Sequence, residues 1–142
     1  MALNILVVDD SAVMRAMIIK TLHLSGLQLN EIHQAGDGEE ALEKLDAGWI
    51  DLMLLDINMP VMNGEEALRR LRQIPKNADL PVIIVSTEGS DTRIAALREL
   101  GAEFVHKPFT PETLREIIVQ MTGVDDEQQM EDGTFSSNNL DF

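Results

Sequence analysis

Five short apolar runs, each parted from the next by a stretch of helical periodicity, limit what this chain can fold into more than any other feature. Ile5-Leu6-Val7-Val8, "DLMLLD" (51–56) and "PVIIVS" (81–86) are continuous and mostly branched, as strands covered on both faces should be. The first strand is expected over Leu3 to Val8, a weaker one over Glu31 to Ala35, and a short fifth over Phe104 to His106. Between them, Met14, Met17, Ile18 and Leu22 recur at helical spacing until Gly26, and Ala41, Leu42 and Leu45 follow the turn Gly36-Asp37-Gly38. Ala67, Leu68, Leu71 and Ile74 share the next helical face, which Pro75 ends, because proline lacks the amide a helix needs. Residues 90–100 read as a further helix closed by Gly101. Thr110 is placed to cap a last one carrying Leu114, Ile117, Ile118 and Met121. Trp49 is expected to be partly buried between the second helix and the third strand. A strand–helix alternation repeated five times predicts an α/β fold with a parallel sheet and helices on both faces.

At 142 residues, with 44% hydrophobic and 25% charged residues, the chain can close one core of its own. The domain is expected over residues 1–123. From residue 124 to residue 142 basic residues and sustained periodicity both vanish, and this acidic segment reads as a flexible C-terminal tail. The formal net charge of −14 repels phosphate backbones, so direct nucleic-acid binding is excluded from the expectations. With no cysteine, disulfides and thiolate metal sites are excluded, and a cytoplasmic setting fits. No signal peptide and no run of about 20 apolar residues is found, so no membrane insertion is expected.

The first strand ends in two adjacent carboxylates, Asp9 and Asp10. Helix capping by Asp10 or Ser11 would explain one of them and leaves the other without a purpose. In parallel α/β sheets, ligands sit beyond the carboxyl ends of the strands. That rule gathers Asp9, Asp10, Asp56, Ser86 and Lys107 on one rim. Carboxylates that converge need a cation or a shared proton. With neither thiolates nor ligand-spaced histidines, a hard oxygen-seeking ion such as Mg²⁺ suits best. One aspartate would then bind the ion directly while its neighbour holds a coordinated water.

"LVVDDSAVMR", "LLDINMPVMNG", "IIVSTEG" and "HKPFT" together resemble the receiver domain of two-component response regulators, most of all the single-domain chemotaxis regulators of the CheY type. The resemblance runs from about Asn4 to about Thr122. It implies a flavodoxin-like (βα)5, doubly wound, five-stranded parallel sheet in the order 2-1-3-4-5. It further implies that Asp56 is the phosphoacceptor, a carboxylate that a histidine kinase phosphorylates in the presence of Mg²⁺. On the same footing Asp10 would hold the ion directly, Asp9 through water, and the backbone carbonyl of Asn58 would complete the protein ligands. Lys107 would pair with one phosphoryl oxygen and Ser86 would donate a hydrogen bond to another. Phe104 takes the place of the switch aromatic, and Asn58, Thr87 and Glu88 flank the site. The resemblance also implies a cis Lys107–Pro108 bond. The implied protein is a monomeric phosphorelay signalling module and not an enzyme. Its fourth helix, fifth strand and fifth helix would change shape to bind a protein target, and a phosphatase is a further partner.

Taken singly, these residues read otherwise: Asp56 as a solvated strand end, Ser86 as a satisfied strand-end hydroxyl, Lys107 as a surface cation, Phe104 as core. Their alignment on one rim favours the functional reading. Two other functions stay open. A haloacid-dehalogenase-type phosphatase would want a second aspartate two residues after the nucleophile, where this chain has Asn58. A scaffold that binds partners without phosphorylation would have no use for the acidic cluster and Lys107. His106 is read as structural. Thr87, bulkier than the alanine or glycine frequent there in the family, is expected to narrow access to the site.

Overall fold

The computed structural model describes residues 2–57, 62–87 and 91–123. Five parallel strands, β1 (Leu3–Val8), β2 (Leu29–Ala35), β3 (Leu52–Leu55), β4 (Val82–Ser86) and β5 (Ala102–His106), form one sheet in the order β2-β1-β3-β4-β5. The helices are α1 (Ala12–Leu24), α2 (Gly38–Ala47), α3 (Gly64–Arg72), α4 (Asp91–Glu99) and α5 (Pro111–Thr122), with a 3₁₀ turn over Pro75–Asn77. The expected α/β class and strand order are those observed. The second strand starts two residues before the expected Glu31.

The continuous apolar runs are explained by cover on both sides. Leu3, Ile5 and Val7 point into a core shared with Ile18 and Leu22 of α1 and Leu114 and Ile118 of α5. Leu6 and Val8 point the other way, towards Ala41 and Leu45 of α2, Leu68 and Leu71 of α3, and Leu97 of α4. Each such side chain contributes roughly 1.5–3 kcal/mol of transfer free energy on burial. A strand with no solvent face therefore has no polar alternation to show.

Local chemistry sets the helix ends. Ser11, Asp37, Asn63 and Thr110 each accept a backbone N–H of the first turn of α1, α2, α3 and α5. Such caps are worth about 1 kcal/mol apiece. Pro111 opens α5, and Gly123, at φ 70°, closes it in the left-handed conformation that glycine adopts without penalty.

Two packing expectations need correction. Trp49 is 66% exposed, its indole N–H donating to Asp51 Oδ1 at 2.7 Å. Met17 is also exposed although it recurs at helical spacing with Met14. In α1 apolar residues lie on every side, so periodicity could not identify the outward face.

Candidate functional site

Asp9 and Asp56 meet because β1 and β3 are neighbours in register. Val8 pairs with Leu55, so the next residue of each strand leaves the sheet side by side. The Asp56 N–H donates to the Val8 carbonyl at 3.0 Å. Carboxylate oxygens of Asp9, Asp10 and Asp56 all lie within 4.8 Å of one another. Two unit charges at that spacing repel by about 3 kcal/mol at an effective dielectric of 20. Asp9 and Asp56 are buried and Asp10 is exposed, so solvent screens only part of this repulsion.

The capping explanation for the acid pair fails on geometry. Ser11 is the residue that caps α1, its Oγ accepting the Met14 N–H at 3.2 Å. Asp9 is tied on every side instead. Its N–H donates to Ala35, its carbonyl accepts from Arg15 Nη1 at 2.6 Å, and its Oδ1 accepts the Ser11 N–H at 2.9 Å. Its Oδ2 pairs with Lys107 Nζ at 3.5 Å. An aspartate so occupied is suited to contact an ion through water, whereas the Asp10 carboxylate is exposed and has no side-chain hydrogen bond among the described residues.

Lys107 follows β5, and its side chain reaches back along the rim to Asp9 while staying only 18% exposed. The Lys107–Pro108 peptide is cis, as the resemblance implied. The Lys107 N–H donates to the Ser86 carbonyl at 3.0 Å, joining the ends of β5 and β4. Ser86 is buried, and the Phe104 ring lies inward against the edge of His106, with centroids 4.8 Å apart. Thr87 is exposed and borders a cleft of about 230 Å³ between α1 and the turn at Lys107, Pro108 and Phe109. Asn58 and Glu88, expected to flank the site, lie outside the described residues, as do residues 124–142.

The donor set is purely carboxylate oxygen, without histidine or cysteine among the described residues. It fits a hard divalent cation such as Mg²⁺, which takes one or two carboxylates and keeps several waters.

Two residues that sequence reasoning passed over shape this rim. A Cβ on Gly64 would collide with the Asp56 carbonyl oxygen and lie 2.6 Å from Ile57 Cα, while the Gly64 N–H donates to Ile57 O at 3.1 Å. The start of α3 thus rests directly on the backbone that carries Asp56. The one signal for it was a glycine where a better helix former could stand. Arg15 bonds the backbone of Asp9, and nothing in its spacing announces that.

Residues 5–119 match the family model of the response regulator receiver domain. The chain is 36% identical over 126 residues to the chemotaxis protein CheY1 of Helicobacter pylori, an alignment covering 87% of this chain and all of that one. The crystallised chemotaxis protein CheY4 of Vibrio cholerae superposes with a TM-score of 0.76 at 34% identity, over 85% of this chain and 99% of that one. The CheX–CheY–BeF3–Mg²⁺ complex of Borrelia burgdorferi gives 0.75 at 30% identity, over 83% and 87%. Fold and sequence together make this chain a member of the response regulator receiver domain family. Within it, the chain is CheY-like, a two-component signalling module related to chemotaxis regulators. No helix among the described residues is long and apolar enough to cross a membrane.

Proposed function

We propose that this protein is a phosphorylation-activated switch whose phosphoacceptor is Asp56. The observation that carries the reading is the convergence of three carboxylates within 4.8 Å beside the Lys107 ammonium. A carboxylate oxygen of Asp56 attacks the phosphorus of a phosphohistidine on a histidine kinase. The new P–O bond forms as the P–N bond breaks, and the imidazole leaves. Asp10 and Asp56 would hold Mg²⁺ directly and Asp9 through water, and the resemblance adds the Asn58 carbonyl to that set. The ion, when bound, neutralises charge on the transferring phosphoryl group. Lys107 meets a phosphoryl oxygen from the other side. In the return step water attacks phosphorus, inorganic phosphate leaves and the Asp56 carboxylate is restored. Thr87 borders the path of that water and slows it, and a phosphatase partner would speed it.

Readout passes through Ser86 and Phe104. The phosphoryl dianion draws the Ser86 hydroxyl into a charge-assisted hydrogen bond. Phe104 has no hydroxyl, so its place is set by packing, and the residue is already buried, 9% exposed. Phosphorylation therefore holds the ring inward, and the surface of α4, β5 and α5 favours a protein target in that state. The phosphodonor protein docks elsewhere. Val13 and Met17 of α1 are 71% and 58% exposed, and this apolar face runs beside the cleft that Lys107 and Thr87 line. The module works in the cytoplasm as a monomer.

Intact-mass measurement after incubation with acetyl phosphate and MgCl₂ tests the reading. One phosphoryl adduct is expected on the native chain and none on Asp56→Asn. Turnover of acetyl phosphate with no adduct would favour a phosphatase, and neither adduct nor turnover would favour a scaffold.

A further inference from the structure

We propose that Arg15 is a positioning residue that fixes the Asp9–Asp10 peptide and so sets the angle between the two carboxylates. The proposal rests on the reading of these aspartates as a Mg²⁺ site. Arg15 Nη1 donates to the Asp9 carbonyl at 2.6 Å, and Nε of the same guanidinium donates to Gln34 Oε1 at 2.9 Å. Gln34 belongs to β2 and pairs with Val7, two residues before Asp9. The planar guanidinium therefore spans from one strand to the turn beyond the next. A rigid fork of this kind fixes orientation as well as distance.

The carbonyl it grips belongs to the peptide unit between Asp9 and Asp10. If that unit rotated, the Asp10 carboxylate would swing relative to Asp9. Asp9 itself could not follow, since its N–H, Oδ1 and Oδ2 are held by Ala35, Ser11 and Lys107. The Arg15–Gln34 pair is thus the brace on the otherwise unsecured side of the turn. Beside it, Glu40 Oε1 accepts the Gly36 N–H at 2.7 Å, which ties the start of α2 to the end of β2.

Two effects of removing Arg15 have opposite signs, which makes the proposal testable. Loss of a positive charge near the cluster would tighten cation binding, whereas loss of the brace would loosen it. Outer-shell partners of metal ligands are commonly worth 10–100-fold in metal affinity. Titration calorimetry of the full chain with MgCl₂ should show about a tenfold weaker Kd for Arg15→Ala. Gln34→Leu keeps the charge and removes only the partner that orients the guanidinium, so it should weaken Mg²⁺ about threefold, less than the loss of an outer-shell group itself. Arg15→Lys should recover part of the loss. Thermal melts in EDTA should stay close to the native chain for all three. Unchanged or tighter Mg²⁺ binding in Arg15→Ala overturns the proposal, as does a Gln34→Leu chain that binds like the native one. A native chain that shows no Mg²⁺ binding removes the metal reading itself, whereas a native chain that binds with indifferent variants removes only the positioning role.

Discussion

The two ends of the sheet treat charge in opposite ways. At the carboxyl end, three carboxylates crowd within 4.8 Å and the Lys107 ammonium reaches Asp9 at 3.5 Å. At the amino end, Arg72 donates to the carbonyl oxygens of Asn77, Leu80 and Leu100, with longer contacts to Ala78 and Gly101. Burial pushes the Arg72 guanidinium below the usual arginine pKa, and Asp79 pulls it back up. Lys76 donates to the carbonyls of Leu45 and Gly48 at the end of α2, where a cation complements the helix dipole. Asp51 accepts from the Asn4 N–H and from Trp49. Charges at the amino end are used up in holding loops together. Those at the carboxyl end repel one another and gain from an incoming cation or phosphoryl group. The difference separates a structural cluster from a responsive one: both are polar, but one is balanced without a ligand.

Substitutions at the two ends should therefore separate stability from phosphorylation. The largest effect is expected where the two overlap. Gly64→Ala drives a Cβ into the Asp56 backbone and should cost about 3 kcal/mol, as overpacking does. Urea denaturation would show the loss, and acetyl phosphate labelling should slow in the same protein. Equal labelling at native stability would mean that α3 does not brace Asp56. Next comes Arg72→Met, which leaves several loop carbonyls without a donor and should cost about 2 kcal/mol. The rate of adduct formation, read by intact mass, should not change, and a fall would erase the contrast between the ends. Asp56→Asn should work in the opposite sense, raising stability by about 1 kcal/mol through relief of repulsion, seen as a higher Tm in EDTA. A drop in Tm would show that the cluster is already balanced without its ligand. Lys76→Met should have the smallest effect, a loss of about 0.5 kcal/mol from the end of α2, with Mg²⁺ affinity unaltered.

Much of the architecture could be read from sequence because it is written in local periodicity. Runs such as Ile83-Ile84-Val85 reveal strands covered on both faces, and Ser11 and Thr110 mark helix starts through their own side-chain oxygens. The rim residues were also legible, since strand ends in a parallel sheet fall on one side and the four motifs resemble a known family. The strand order came from that resemblance and not from periodicity.

Tertiary structure alone decided the remainder. Spacing shows that residues share a face but not what lies opposite it, so Met17, which recurs at helical spacing, is exposed, and Trp49, expected to be partly buried, is exposed as well. The partners of Arg72 come from residues as far as 29 positions along the chain, beyond the reach of any local pattern. The contact of Gly64 with the Asp56 backbone and the grip of Arg15 on the Asp9 carbonyl likewise exist only once β1, β2, β3 and α3 have met. The sequence by itself determined the elements, their class and the identity of the charged residues at the strand ends, because backbone geometry repeats locally. Which charges are balanced and which are left to respond was decided by the fold, because burial and distance are properties of neighbours that the chain brings together only by folding.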